Sequence, residues 1–265
     1  MSLYPLELEA NIIQFVVIVV MTIWFAIKNR DRFVLTRSLF FWGMLAHILL
    51  NAYWLSMILV DGAGNYVTFT ASDTATVATF LLWSTMYHLE NKTDVHSEYA
   101  KKKLPVSQVL FCICNVVWWM LWSKNYVINL IWGITFALFS YMIFYNLEMK
   151  GAFTKTLSTI WYVAVASVFV FQIPVYIFEK TNIFHVIGDY ACAITWIVLI
   201  VMFLVMAHKD KHNKTTWLFA SMLYSLYAQY MSDGIVYSVF VIIETLLLFS
   251  VIRVFDLPKS EEAAI

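Results

Sequence analysis

The residue with the clearest chemical potential in this sequence is Glu244, a carboxylic acid in the middle of a long apolar run. If the run is a helix that begins near Ile235, a rise of 1.5 Å per residue puts Glu244 about 14 Å along it, close to the midplane of a bilayer. An acidic group at that depth costs on the order of 3 kcal/mol, so it should face protein or water rather than lipid. A carboxyl group in that position is suited to binding a cation or to carrying a proton.

Other polar residues lie inside apolar runs and are candidates to share a site with this carboxyl group. His47 has a similar depth in a second run, and Asn51 follows one helical turn later on the same face. Asn115 is about as deep in another run, whereas Gln172 and Asp189 lie nearer the ends of theirs. Such side chains also join membrane helices through hydrogen bonds worth about 0.6 kcal/mol, without any further role. Weighing depth against this alternative, we predict a substrate-binding site formed by Glu244, His47, Asn51, Asn115, Gln172 and Asp189.

The composition identifies the elements that must position these residues as transmembrane helices. Of the 265 residues, 62% are hydrophobic and only 13% are charged, and the mean hydropathy is +0.76. A soluble domain carries about 25% charged residues, so this chain is expected in a lipid bilayer. Eight apolar runs are long enough to cross a membrane, at 11–27, 38–60, 71–90, 105–123, 126–147, 156–178, 185–207 and 234–252. A shorter run, 216–231, either crosses as a ninth span or is re-entrant, which would leave eight.

The distribution of basic residues favours nine spans and fixes an orientation. Short cytoplasmic loops of membrane proteins are enriched in Lys and Arg. With nine spans and the N-terminus outside, only Lys124 and Lys180 lie in outside loops. The other 15 of the 17 basic residues then lie inside, and they are Lys28, Arg30, Arg32, Arg37, Lys92, Lys101, Lys102, Lys103, Lys150, Lys155, Lys209, Lys211, Lys214, Arg253 and Lys259. We therefore predict an all-α bundle with an outside N-terminus and a cytoplasmic C-terminus.

The chain is predicted to be one transmembrane domain over residues 1–265, in which the first helix is followed by four hairpins. These hairpins are 38–90, 105–147, 156–207 and 216–252. The three cysteines, Cys112, Cys114 and Cys192, show no disulfide or metal-binding spacing. No phosphate-binding glycine loop or nucleophile motif is present in the sequence, so neither a cofactor nor a metal is expected. The zero net charge does not suggest a nucleic-acid partner.

Three classes of function fit this pattern. A small-solute transporter or permease is the leading hypothesis, because transporters bind the substrate and the coupling cation or proton near the midplane. A receptor or accessory subunit that acts through a partner membrane protein is the alternative. An intramembrane lipid-modifying enzyme, with Glu244 and His47 as acid and base, is third, and enzymatic activity is therefore less expected than transport.

Overall fold

A computed structural model describes residues 4–31, 34–61, 71–90, 109, 113, 126–167, 170, 183–230, 232 and 234–255. Within these residues the chain is all-α and forms a helical bundle. Its eight helices are α1 (Tyr4–Asn29), α2 (Leu35–Asp61), α3 (Ala71–Glu90), α4 (Tyr126–Met149), α5 (Lys155–Ser167), α6 (Ile183–Lys209), α7 (Lys214–Tyr230) and α8 (Gly234–Phe255).

The helices coincide with the apolar runs of the sequence wherever the structure describes the chain. Residues 216–230 of the shorter run are helical as part of α7, and residues 156–167 of the run 156–178 are helical as part of α5. The run 105–123 lies outside the continuously described segments. The count of nine spans therefore stays a prediction.

The protein is a multi-pass membrane protein. Five helices, α1, α2, α4, α6 and α8, each contain a stretch of at least 20 residues that is long and apolar enough to cross a bilayer. The outward faces of these helices are apolar, and the exposed residues recur every seven positions, as in Ile13, Val20 and Ile27 of α1 and Ile187, Ile194 and Val201 of α6. Exposed apolar area on this scale belongs against lipid rather than water.

Side-chain contacts give the relative directions of the helices. Trp83 of α3 donates a hydrogen bond to the Phe40 carbonyl of α2 at 3.3 Å, and Thr79 donates to the Gly43 carbonyl at 3.4 Å. The later residue of α3 thus meets the earlier residue of α2, so these two helices are antiparallel. The same reasoning makes α7 antiparallel to α4, α6 and α8, and makes α1 parallel to α8.

The helix α7 forms the centre of the core. All residues from Thr216 to Gln229 are buried, although this helix carries the polar stripe Ser221, Ser225 and Gln229. Its aromatic side chains pack between those of α4 and α6, and its serine hydroxyls donate to main-chain carbonyls. Neighbouring helices therefore cover α7 on all sides.

Close packing of α2 against α3 depends on Gly43. A Cβ atom at this position would lie 2.2 Å from Nε1 and 2.6 Å from Cδ1 of Trp83. Because non-bonded heavy atoms do not approach so closely, only glycine lets the indole ring lie against the backbone of α2 here.

The turn between α6 and α7 is organised by Asp210. Its carboxylate accepts hydrogen bonds from the Asn213 backbone N–H at 3.2 Å, from Asn213 Nδ2 at 2.8 Å and from Trp217 Nε1 at 3.1 Å. Partial burial raises the pKa of this carboxyl group, but the hydrogen bonds and the nearby His212 outweigh burial and bring the pKa below its ordinary value. The carboxylate thus holds the first turn of α7 in place.

Every Lys and Arg that the structure describes lies at one end of the bundle, which we call the basic end. This end contains the last turn of α1, the first turn of α2, the turns that join α4 to α5 and α6 to α7, and the last turn of α8. Its basic residues are Lys28, Arg30, Arg37, Lys150, Lys155, Lys209, Lys211, Lys214 and Arg253. We call the other end, where α1 and α8 begin, the opposite end.

Candidate functional site

Glu244 is the centre of a buried polar cluster between α1, α2 and α8. Its side chain is 0% exposed, and that of His47 is 1% exposed. The His47 Nε2 atom of α2 lies 3.3 Å from Glu244 Oε1. Gln14 of α1 donates a hydrogen bond from Nε2 to Glu244 Oε2 at 2.5 Å. The first two helices and the distant helix α8 thus bring Gln14, His47 and Glu244 together, and we call these three residues the deep layer.

All three residues lie near the middle of their helices, as the depth argument predicts for Glu244 and His47. The prediction that Glu244 faces protein is confirmed, because neighbouring helices bury its side chain completely. The ten residues from the start of α8 at Gly234 to Glu244 span about 15 Å at 1.5 Å per residue. An ionisable pair therefore lies about halfway along α8, which is long enough to cross a hydrocarbon core of roughly 30 Å.

The deep layer has hydrogen-bonding capacity that the described residues do not use. Gln14 Oε1, both ring nitrogens of His47 and Glu244 Oε1 are buried and have no hydrogen-bond partner within the described part of the chain. The contact of His47 with Glu244 has the distance of an ion pair but not the alignment of a hydrogen bond. Buried polar atoms are nearly always hydrogen-bonded, so four unsatisfied ones at a single place make the deep layer a candidate functional site.

A second polar layer lies between the deep layer and the opposite end. The Tyr237 hydroxyl of α8 donates to Asn11 Oδ1 at 2.9 Å and accepts a hydrogen bond from Trp54 Nε1 at 2.9 Å. Gln229 Nε2 of α7 also donates to this hydroxyl at 3.4 Å. We call Asn11, Trp54, Gln229 and Tyr237 the upper layer. It joins four helices through a single oxygen atom.

At the opposite end, a hydrogen bond joins α1 to α8. Glu7 Oε1 accepts a hydrogen bond from the backbone N–H of Gly234, the first residue of α8, at 2.8 Å. A carboxylate is favoured at this position because the first N–H groups of a helix lack partners within the helix. This contact fixes the two helices in the register that aligns Gln14 with Glu244.

The other predicted site residues have different outcomes. Asn51 is buried on the face of α2 that carries His47, but its Nδ2 atom donates to the His47 carbonyl of the same helix at 2.8 Å. Asn115 and Gln172 lie outside the described residues. Asp189 is in the second turn of α6, and its side chain also lies outside the described part of the structure. The roles of these four residues in substrate binding stay predictions.

Sequence reasoning missed Gln14 and the residues of the upper layer. One signal was available for α1, because Glu7, Asn11 and Gln14 recur on one face of an otherwise apolar helix. Tyr237 and Trp54 gave no such signal, since aromatic residues are expected near the ends of membrane spans in any case.

A separate polar contact lies among the aromatic rings of the core. The Tyr224 hydroxyl of α7 accepts a hydrogen bond from Trp161 Nε1 at 2.6 Å and lies 2.9 Å from the Ser140 hydroxyl. The Trp196 ring stacks on Tyr224 with centroids 5.5 Å apart. These rings fill the space between them, so this group joins α4, α5, α6 and α7 and has a structural role.

Among the residues that the structure describes, no group of three His, Cys, Asp or Glu side chains is placed to hold a metal ion. Comparison of the chain with protein-family models, with curated proteins and with solved structures gives no match. The chemistry of the deep layer is therefore the feature from which a function can be inferred.

Proposed function

We propose that this protein transports a small solute across the membrane and that Glu244, together with His47, binds the proton that drives transport. The observation that supports this proposal is an ionisable pair buried near the middle of its helices, with 0% and 1% of the side chains exposed. Placing ionisable groups inside a bilayer costs several kcal/mol, and such groups usually serve ion or proton pathways. Transporters bind their substrates and coupling ions at this depth.

The chemistry of the pair suits coupling. Adding or removing one proton changes the net charge of the deep layer by one unit, and burial of both side chains leaves that change weakly screened by bulk solvent. A polar solute that binds next to Glu244 would therefore have different affinities for the two protonation states. By linkage, binding of the solute then changes the affinity of the site for the proton by the same factor.

We propose that the basic end lies in the cytoplasm, which gives the N-terminus outside and the C-terminus inside. The support is the gathering of all described Lys and Arg residues at that end, as the positive-inside rule requires. This orientation is the one that we propose for nine spans, in which the first helix is followed by the hairpins 38–90, 105–147, 156–207 and 216–252.

Reaction of single cysteines at Gly151 and Leu6 with an impermeant maleimide on intact cells tests the orientation. Labelling of Leu6→Cys alone is expected, and labelling of Gly151→Cys alone would reverse the orientation.

The proposed transport is tested by solute-driven proton movement. The purified protein is placed in liposomes on a solid-supported membrane, and currents are recorded on addition of amino acids, sugars, nucleosides and small amines. Glu244→Gln keeps the shape and the hydrogen-bonding capacity of the side chain but cannot exchange a proton at neutral pH. We expect this variant to lose the current. Glu9→Gln makes the same chemical change at an exposed position of α1 and should keep it.

A receptor or accessory subunit is the second candidate, and the dense aromatic packing of α3, α4 and α7 favours it. Closely packed rings, such as those of Phe136 and Tyr227 with centroids 4.9 Å apart, make the core stiff. A stiff core resists the relative movement of helices that transport requires. If no solute produces a current and the protein purifies with one stoichiometric membrane partner, the subunit function replaces transport. A current that survives in Glu244→Gln would exclude this residue as the coupling group.

A further inference from the structure

Polarity is distributed unequally along the seam between α1, α2 and α8. From the deep layer toward the opposite end, the facing side chains are those of the upper layer, joined by hydrogen bonds at 2.9 to 3.4 Å. The spacing keeps them on one face, because Tyr237 precedes Glu244 by two turns, Trp54 follows His47 by two turns, and Asn11 precedes Gln14 by nearly one. The Tyr237 hydroxyl group thus belongs to a second polar level about 10 Å from Glu244 along α8, at 1.5 Å per residue, with Val241 between the two on this face.

From the deep layer toward the basic end, most buried side chains of the same helices are apolar. The buried polar ones, Thr22, Asn29 and Thr245, donate hydrogen bonds to main-chain carbonyls of their own helices. Phe25 of α1 packs against Phe40 of α2 with ring centroids 5.1 Å apart, and Phe40 packs against Phe219 of α7 at 5.9 Å. On α8 the buried residues beyond Glu244 include Leu248 and Val251. These rings and aliphatic chains form a seal, because a proton cannot pass through packed hydrocarbon without a polar group or water to carry it.

We propose that Glu244 exchanges its proton with the opposite end of the bundle, through the upper layer, and not with the basic end. Tyr237 is the positioning residue of this path. A phenolic hydroxyl has one donor and two acceptor sites, and all three are used, toward Asn11, Trp54 and Gln229. Proton passage requires water to enter between these partners. The Tyr237 hydroxyl group holds that water in position, so its loss slows the exchange. This inference depends on the proposed role of Glu244 as a proton-binding group.

Other titratable groups lie on the helices packed around the seam that contains Glu244. His47 faces it from α2, and Tyr237 lies two turns before it on α8 itself. Tyr230 of α7 is within electrostatic range of Glu244, and Asp73 of α3 acts on Tyr230 in turn. Glu7 of α1 acts on Tyr237. Apart from His47, all of these groups lie between Glu244 and the opposite end. This is the direction in which we expect proton exchange.

The route is tested by changing the pH on one side of the membrane at a time. Protein of uniform orientation in liposomes is followed by time-resolved infrared spectroscopy at the carboxyl C=O band that disappears in Glu244→Gln. A pH jump at the opposite end should change this band, and a jump at the basic end should leave it unchanged on the same timescale. A response to the basic end alone, or an equal response to both ends, would overturn the proposed route.

Tyr237→Phe tests the role of the hydroxyl without changing the shape of the side chain. We expect the exchange rate to fall about 100-fold, the lower range for loss of a positioned proton-transfer group, while the final amplitude of the band change stays the same. Trp54→Phe serves if the first variant does not fold, and Tyr190→Phe on the exposed face of α6 is the matched control. An unchanged rate in the folded variants would remove the upper layer from the path. A Glu244 band that responds to neither side would instead refute the proposed function, so the two failures are distinguishable.

Discussion

A double-mutant cycle on His47 and Glu244 measures whether this buried pair is charged. The atoms His47 Nε2 and Glu244 Oε1 are 3.3 Å apart, and both side chains are at most 1% exposed. At an effective dielectric constant of about 20, two unit charges at this distance attract by about 5 kcal/mol. Removing one partner of a buried ion pair leaves the other charge unpaired, which costs about 3–5 kcal/mol. A neutral hydrogen bond between membrane helices contributes only about 0.6 kcal/mol.

We therefore expect His47→Gln and Glu244→Gln each to lower the free energy of unfolding by about 3 kcal/mol. The double variant should lose about 2–3 kcal/mol less than the sum of the two, which is the coupling energy of contacting groups. The free energies come from reversible unfolding in mixed micelles with increasing sodium dodecyl sulfate, followed by circular dichroism and tryptophan fluorescence. Glu9→Gln is the control and should change stability by less than about 0.5 kcal/mol, as usual for an exposed position.

The size of the coupling energy decides between the physical alternatives. A value of about 2 kcal/mol or more indicates an ion pair and supports the electrostatic reasoning. A value near 0.6 kcal/mol would correspond to a neutral contact between helices and would refute the charged description of the pair. Effects that add within about 0.3–0.5 kcal/mol would show that the two side chains do not interact at all.

Three further predictions concern the scaffold. Gly43→Ala should cost about 1–3 kcal/mol in the same unfolding assay, because the new Cβ overlaps the Trp83 ring; a neutral effect would contradict the close approach of α2 and α3. Tyr224→Phe should cost about 1–3 kcal/mol by removing the acceptor of the Trp161 indole N–H, and a stabilised variant would show that this contact is not formed. Because the pKa of Asp210 is lowered on folding, its contribution should be complete above the ordinary value of 3.8 and disappear as the pH falls through the lower folded value. Thermal melting curves of Asp210→Asn and of the unchanged protein should therefore converge at low pH, and a constant difference between them would contradict the assignment.

The helices could be predicted from the sequence because each lies in a local apolar run, and most of these runs are long enough to span a membrane. The depth of Glu244 and His47 could also be predicted, since depth follows from the position within the run and the rise per residue. The prediction of a helix in the shorter run 216–231 is confirmed for residues 216–230, which belong to α7.

The partner of Glu244 on α1 could not be predicted in the same way. Gln14 and Glu244 are 230 positions apart, and the face that one membrane helix turns toward another depends on packing rather than on local pattern. The arrangement of hydrogen bonds around Tyr237 has the same origin, because it requires side chains from four helices. Asn51 shows the opposite case. Its position on the same face of α2 as His47 was predicted correctly, but its side-chain amide donates a hydrogen bond to a carbonyl of α2 itself.

The complete enclosure of α7 has a consequence for how the protein is made. Insertion machinery releases a nascent segment into lipid when its side chains are apolar enough, and each polar residue makes this step less favourable. The 14 residues from Thr216 to Gln229 of α7, with Ser221, Ser225 and Gln229 among them, are all buried in the finished bundle. We therefore expect this helix to enter the bilayer together with a neighbour that shields it, either α6 or α8, rather than alone.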